Sequence, residues 1–253
     1  MPNSGLFIEG IYNYCDRWCE RCPLTLRCRL YASEQVDGGS VESHDTSNAA
    51  FWSAVQNVLA QTKELISRLA GDPRGELQMI DVSNATLPPP VNLNQHRLAA
   101  ASADYAETAA DWLDAHDRLL DEQHAELENL ASMGVQAPAL ENDTLALADA
   151  LDVIRWYHQQ IYAKLCRALG SRLEQREPGD SSTRLADDAL GSVKVALIGI
   201  DRSIAAWSEL ARSLPEESDM LLDLLVRLDR LRRDAEQEFP LARSFVRPGF
   251  DEQ

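Results

Sequence analysis

No stretch of this 253-residue chain is apolar for long enough to cross a membrane as a helix. The densest run, Val195-Ala-Leu-Ile-Gly-Ile200, falls far short of the roughly 18 residues such a helix needs. Positive charge is scarce as well: 24 Lys and Arg stand against 41 Asp and Glu, for a formal net charge of -17. A field of that sign repels phosphate backbones and anionic headgroups, so neither general nucleic-acid binding nor a membrane surface is expected. The start, Met1-Pro2-Asn3-Ser4-Gly5, has no basic stretch leading into an apolar core. No secretory signal is therefore expected, and the reducing cytoplasm is the expected compartment.

Signatures of catalysis are missing too. Gly191 and Gly199 stand alone in a helical pattern, and Asp37-Gly-Gly-Ser40 has neither the flanking strand nor the Lys of a phosphate loop. A ferritin-like di-iron bundle needs Glu-x-x-His pairs, and the chain contains none, Asp121-Glu-Gln-His124 being the nearest approach. Strand signals are almost absent, Glu76 to Val82 being the one short candidate.

What the chain does have is helical periodicity. Apolar residues recur at three- and four-residue spacing over 49–69, 95–132, 142–173, 182–214 and 216–238. Tyr105, Ala109 and Trp112 mark the inner face of the second segment and Asp104, Glu107, Asp111 and Asp114 its solvated face. Val193, Leu197, Ile200 and Trp207 line the fourth, and Leu221, Leu224, Leu225, Leu228 and Leu231 the last. The expected fold is mainly α, a bundle of four to five long helices with a small N-terminal cysteine-rich module. The expected boundaries are 1–32 for the cysteine module, 33–48 for a linker, 49–239 for the bundle and 240–253 for a tail. Gly134 and Pro138 are expected to separate the second helix from the third, with Asn142 or Asp143 capping the latter.

Four of the five cysteines fall between Cys15 and Cys28, spaced Cys-x3-Cys-x2-Cys-x5-Cys. In a reducing compartment such a cluster reads as metal-binding before it reads as disulfides. Four soft thiolates from Cys15, Cys19, Cys22 and Cys28 suit either tetrahedral zinc or a [4Fe–4S] cluster. The ligands form one compact run with Pro23 directly after a cysteine, whereas structural zinc sites usually pair two ligands on one element with two on another; this favours the cluster. Arg17, Arg21, Arg27 and Arg29 outnumber Glu9, Asp16 and Glu20 here, the one region without an acidic excess.

The run Cys19-Glu-Arg-Cys-Pro-Leu-Thr-Leu-Arg-Cys-Arg-Leu-Tyr-Ala32 resembles the cysteine segment of WhiB-like iron–sulfur proteins, and is similar to a run in some RecB-like nucleases that hold a [4Fe–4S] cluster. The resemblance implies cluster ligation by Cys19, Cys22 and Cys28; Cys15 joins them by proximity. The first cysteine of WhiB-like proteins lies far upstream, and their glycine-rich tryptophan turn and basic tail have no counterpart here, so their transcriptional role does not carry over. Cys15-x3-Cys19-x2-Cys22 also resembles the motif of radical S-adenosylmethionine enzymes, but Arg21 stands where an aromatic is usual and Cys28 would fill the open iron site.

The leading expectation is a metal-binding helical protein with a redox-sensing or structural [4Fe–4S] centre and a bundle that meets another protein. The alternatives are a zinc-stabilised adaptor and an oxidoreductase with a metal site around His116 and His158. Those histidines are expected to be partly buried and hydrogen-bonded, Asp201 to form a boundary ion pair with Lys194 in view, and Cys166 to pack as a small hydrophobe. Tyr14 and Trp18 are expected to shield the centre or to anchor its segment to the bundle.

Overall fold

The computed structural model describes residues 6–36, 93–174 and 182–251. The expected helix over 49–69, the strand Glu76 to Val82 and the loop at Glu177-Pro-Gly-Asp180 lie outside these residues. The chain divides into two compact units, one of Met1–Phe7 with Pro23–Pro90, the other of Ile8–Cys22 with Val91–Gln253.

In the first unit a short 3-10 turn, Thr25–Arg27, leads into helix α1, Arg29–Val36. Helix α1 thus covers Ser33 to Val36, residues whose composition suggested linker.

The second unit holds α2 (Arg97–Ala115), α3 (Leu119–Ser132), α4 (Pro138–Glu174), α5 (Ser182–Ser213) and α6 (Ser218–Glu238). No strand occurs among the described residues, and the fold is a mainly α bundle. Helices α4 and α5 run antiparallel along their lengths, with Arg167 against Asp188, Tyr157 against Gly199 and Arg212 near Asp143. Helix α6 returns along α2, pairing Arg97 with Asp234 and Arg227 with Asp104. The core is what the periodicity promises: Tyr105 and Trp112 from α2, Ile154, Tyr157, Ile161 and Leu165 from α4, Val193, Leu197, Ile200 and Trp207 from α5, and Leu221, Leu224, Leu228 and Leu231 from α6. Inside it the Trp207 indole N–H donates to the Tyr105 hydroxyl over 3.1 Å, which satisfies a buried donor that would otherwise cost about 1–3 kcal/mol. Burial pushes the Tyr105 phenol up to about 12.

Two boundaries differ from expectation. The helix expected over 95–132 is two helices, because His116 leaves helical geometry (φ -119°, ψ 27°). Its Nδ1 donates to the Trp112 carbonyl over 2.7 Å, its ring stacks on Trp112 with centroids 4.0 Å apart, and Nε2 meets the Glu217 carboxylate. Trp112 Nε1 donates to the other Glu217 oxygen over 2.8 Å, so the joint is held by a side chain from the start of the distant α6 region. Pro138, expected to break the pattern, instead opens α4, where its missing N–H costs nothing and its fixed φ suits the first turn.

The C-terminal residues belong to the bundle unit. Phe239 and Ala242 are buried, Phe245 meets the ring of Tyr14 edge-on at 4.9 Å, and Gly249 brings the backbone close to Ile8 and Ile11. Among the described residues no helix is long and apolar enough to cross a membrane.

Candidate metal centre

The cysteine run is built from short turns rather than regular structure. A 3-10 turn at Cys19–Arg21 closes when the Cys22 N–H donates to the Cys19 carbonyl over 3.2 Å. Before it, Arg17 adopts the left-handed conformation (φ 59°), which costs a non-glycine residue roughly 1 kcal/mol or more. Strain of that kind persists only where the surroundings over-determine it.

Those surroundings are α4 and α5. The carbonyl of Asp16 accepts from Trp156 Nε1 over 2.9 Å and from Gln160 Nε2. Its carboxylate accepts from the Tyr157 hydroxyl at 2.5 Å and from Arg202 at 2.8 Å. Burial, then the hydrogen bond to Asp16 and its charge, drive the Tyr157 phenol well above its ordinary value, so it stays a donor. Trp18 stacks on Trp156 with centroids 5.2 Å apart and meets Tyr157 edge-on at 5.9 Å. The Arg21 guanidinium lies 4.0 Å from the Trp18 ring centroid and donates to Asp149 at 2.5 Å and Asp152 at 3.2 Å. Tyr14 enters a notch on α5 that exists only because residue 191 is glycine. Trp18 and Tyr14 therefore anchor the segment to the bundle.

This packing sets the division between units. Residues 8–22, with Cys15, Cys19 and Cys22, belong with the helices, while Cys28 belongs with Pro23–Pro90, so the division between the units falls between the third and fourth cysteines. In its own unit Cys28 precedes α1: its carbonyl accepts from Ala32 N–H over 3.1 Å and its Sγ from Tyr31 N–H over 3.5 Å. Its thiol thus stands where an N-capping side chain does.

All five cysteines are half-buried and none is in a disulfide. The Cys15 thiol points at the Tyr12 carbonyl, 3.6 Å away, and burial pushes it up. Burial also lowers the Lys164 ammonium, an effect the nearby Cys15 partly offsets. Among the described residues no group of three or more His, Cys, Asp or Glu side chains is gathered as metal ligands are. By type, Cys15, Cys19, Cys22 and Cys28 are half-buried soft donors, Cys19 on a 3-10 turn, Cys22 and Cys28 each at the C-terminal cap of one, and Cys15 in a bend.

The bundle histidines serve packing. His116 is committed to Trp112 and Glu217, and His158 Nδ1 lies 3.1 Å from the Ile154 carbonyl and 3.0 Å from that of Arg155. Asp201 is ion-paired, but with Arg243 at 2.5 Å and Arg232 at 3.6 Å; Lys194 donates to the Arg243 carbonyl instead. A separation of seven residues along a helix, about 10 Å of rise, puts Lys194 too far along α5. Cys166 packs partly buried against the core, and Asp104, Glu107, Asp111 and Asp114 are exposed. No protein-family model matches this chain, and comparison with curated proteins and with solved structures gives no match.

Proposed function

We propose that this is a metal-binding helical protein in which Cys15, Cys19, Cys22 and Cys28 hold one [4Fe–4S] cluster of redox-sensing or structural role, and in which the bundle presents a surface to another protein in the cytoplasm. The observation that carries the reading is the docking of the thiol-bearing residues 14–22 on α4 and α5 through Asp16, Trp18 and Arg21. A segment tied to two core helices makes its cysteines part of the bundle's own packing, so a change at the thiols is felt by the helices. When bound, a cluster of this type supplies one-electron chemistry, and its potential responds to hydrogen bonds and solvent exposure around the sulfurs. The chain's own part is to present four half-buried thiols within 14 residues, with arginines among them in the sequence, on a segment that Tyr14 and Trp18 anchor to the bundle.

A zinc centre on the same thiols, making the protein a stabilised adaptor, is the second reading. It is favoured by the Cys19–Cys22 turn, whose N–H to carbonyl closure offers two thiols on one short knuckle. Anaerobic purification with iron, sulfide and zinc analysis of one sample separates the two. About four irons and four sulfides per chain with visible charge-transfer absorption are expected; about one zinc and no colour would replace the cluster by zinc, and neither metal would sink the centre altogether.

A further inference from the structure

We infer that Asp16 is the positioning residue of the thiol segment, the pin through which α4 and α5 set the placement of Cys15 and Cys19. The inference rests on the proposed centre for the identity of the ligand, but not for its first test.

The local chain does not hold itself in place. Between Cys15 and Cys19 there is no helix or strand, and Arg17 sits in a backbone region that side chains disfavour. Yet Asp16, flanked by Cys15 on one side and three residues from Cys19 on the other, receives five donors: Trp156, Gln160, Tyr157, Arg202 and the backbone N–H of Trp18. Two of these end on its carbonyl and three on its carboxylate, so both the backbone and the side chain are held. One of these donors cannot follow the loop. Tyr157 is fully buried, and its ring lies against the backbone of Gly199, where an added Cβ would come within 2.8 Å. Arg202 reaches Asp16 from α5 while also donating to the Tyr157 oxygen, so one carboxylate bridges both helices. A donor set on two packed helices fixes a point in space, and the cysteines either side of that point inherit it. Asp16 acts through the backbone of its neighbours, as supporting groups around metal sites do.

The test uses the full chain, metal-free, reduced and anaerobic. Alkylation by iodoacetamide is followed at each cysteine by peptide mass, with Cys166 as the internal reference for general loosening of α4. Asp16→Asn, which keeps the size and the carbonyl contacts, is expected to raise the rates at Cys15 and Cys19 about tenfold relative to Cys166, in line with loss of charge-assisted hydrogen bonds. Tyr157→Phe, which removes one donor from an intact core, is expected to raise them about threefold. Arg202→Met is expected to behave like Asp16→Asn, and Arg202→Lys to restore rates near those of the unaltered chain. Unchanged rates at Cys15 and Cys19, or an equal rise at Cys166, would overturn the inference. Titration with zinc alone then reads the second half: Asp16→Asn is expected to weaken zinc about tenfold, and unchanged affinity beside faster alkylation would overturn its role towards the ligand. If the unaltered chain takes up neither iron nor zinc, the proposed centre falls, and the alkylation ratios still decide whether Asp16 is the pin.

Discussion

The ring of Tyr14 occupies the space in which a Cβ on Gly191 would stand. Both Cδ1 and Cε1 of the tyrosine lie closer to that position than the 3.0 Å that real Cβ atoms respect. In an unobstructed helix interior, replacing glycine by alanine stabilises by about 1 kcal/mol. Here Gly191→Ala is expected to destabilise by roughly 1–3 kcal/mol, because the ring must leave its seat beside Phe245. Urea unfolding of Gly191→Ala, Tyr14→Ala and the double variant forms a cycle. Strong non-additivity is expected, with alanine at 191 tolerated once the ring is gone; a stabilising single Gly191→Ala would contradict the docked position of Tyr14.

A second prediction concerns the joint between α2 and α3. Glu217 accepts from Trp112 and meets His116, and the Trp112 ring packs edge-on against Trp207. Glu217→Ala is expected to cost on the order of 1–3 kcal/mol, since it strands the Trp112 and His116 donors. Thermal melts of Glu217→Ala and Glu217→Gln provide the measurement, the glutamine variant being milder because it keeps an acceptor. Equal stability of all three proteins would count against the joint as described.

The acid limb of stability should report Asp188. Burial opposes ionisation of this carboxyl, but hydrogen bonds from Arg167 and Ser171, with the charges of Arg167 and Lys164, outweigh it and hold the group below its ordinary 3.8. A depressed folded-state value means that the carboxylate's contribution is present above about pH 3.8 and is lost as pH falls through the lower, folded value. Asp251 shifts the same way, its hydrogen bond from Arg247 leading and burial opposing. Asp188→Asn is expected to be less stable than the unaltered chain at neutral pH and to show a shallower loss of stability as pH falls below about 3.8. Parallel acid-denaturation curves for the two proteins would show that Asp188 is not a linked group.

Removal of the proposed metal makes the fourth prediction. Because residues 8–22 pack in the same unit as the helices, ligand binding at their thiols adds to the stability of the whole bundle. Chelation under anaerobic conditions should lower its melting temperature, and Cys22→Ser should do the same without chelator. A helical melt indifferent to both would make the cysteine run an independent appendage, against its docking by Asp16.

The helices were legible because burial repeats at a period the chain itself displays: Leu221, Leu224, Leu228 and Leu231 announce their seam without knowledge of any neighbour. The break at His116 was hidden, since its cause is Glu217, which follows it by 101 residues. Pro138 reads as a breaker in the sequence, but a proline also suits the first turn of a helix, and only the backbone on either side decides. Spacing marks Cys15, Cys19, Cys22 and Cys28 as candidate ligands, but it does not show where their segment sits. Asp16 looks like any acidic residue until Tyr157 and Arg202 are folded around it. One signal was present: Gly191 and Gly199 lie eight residues apart on the inner side of α5, where side chains are otherwise packed. A missing side chain at such positions announces that another ring or backbone comes close, and here the rings are Tyr14 and Tyr157.

The long sequence separations of these contacts also set an order of events during synthesis. Asp16 is made 186 residues before Arg202, and Tyr14 precedes Phe245 by a still greater interval. At about 5–20 residues per second, the ribosome takes on the order of 10–40 s to supply the partners that cover this segment. The thiols of Cys15, Cys19 and Cys22 thus spend that interval on a nascent chain without their cover, open to chaperones, metal donors and oxidants alike. For the proposed centre, loading before the helices close, rather than entry into a finished bundle, is the expected time.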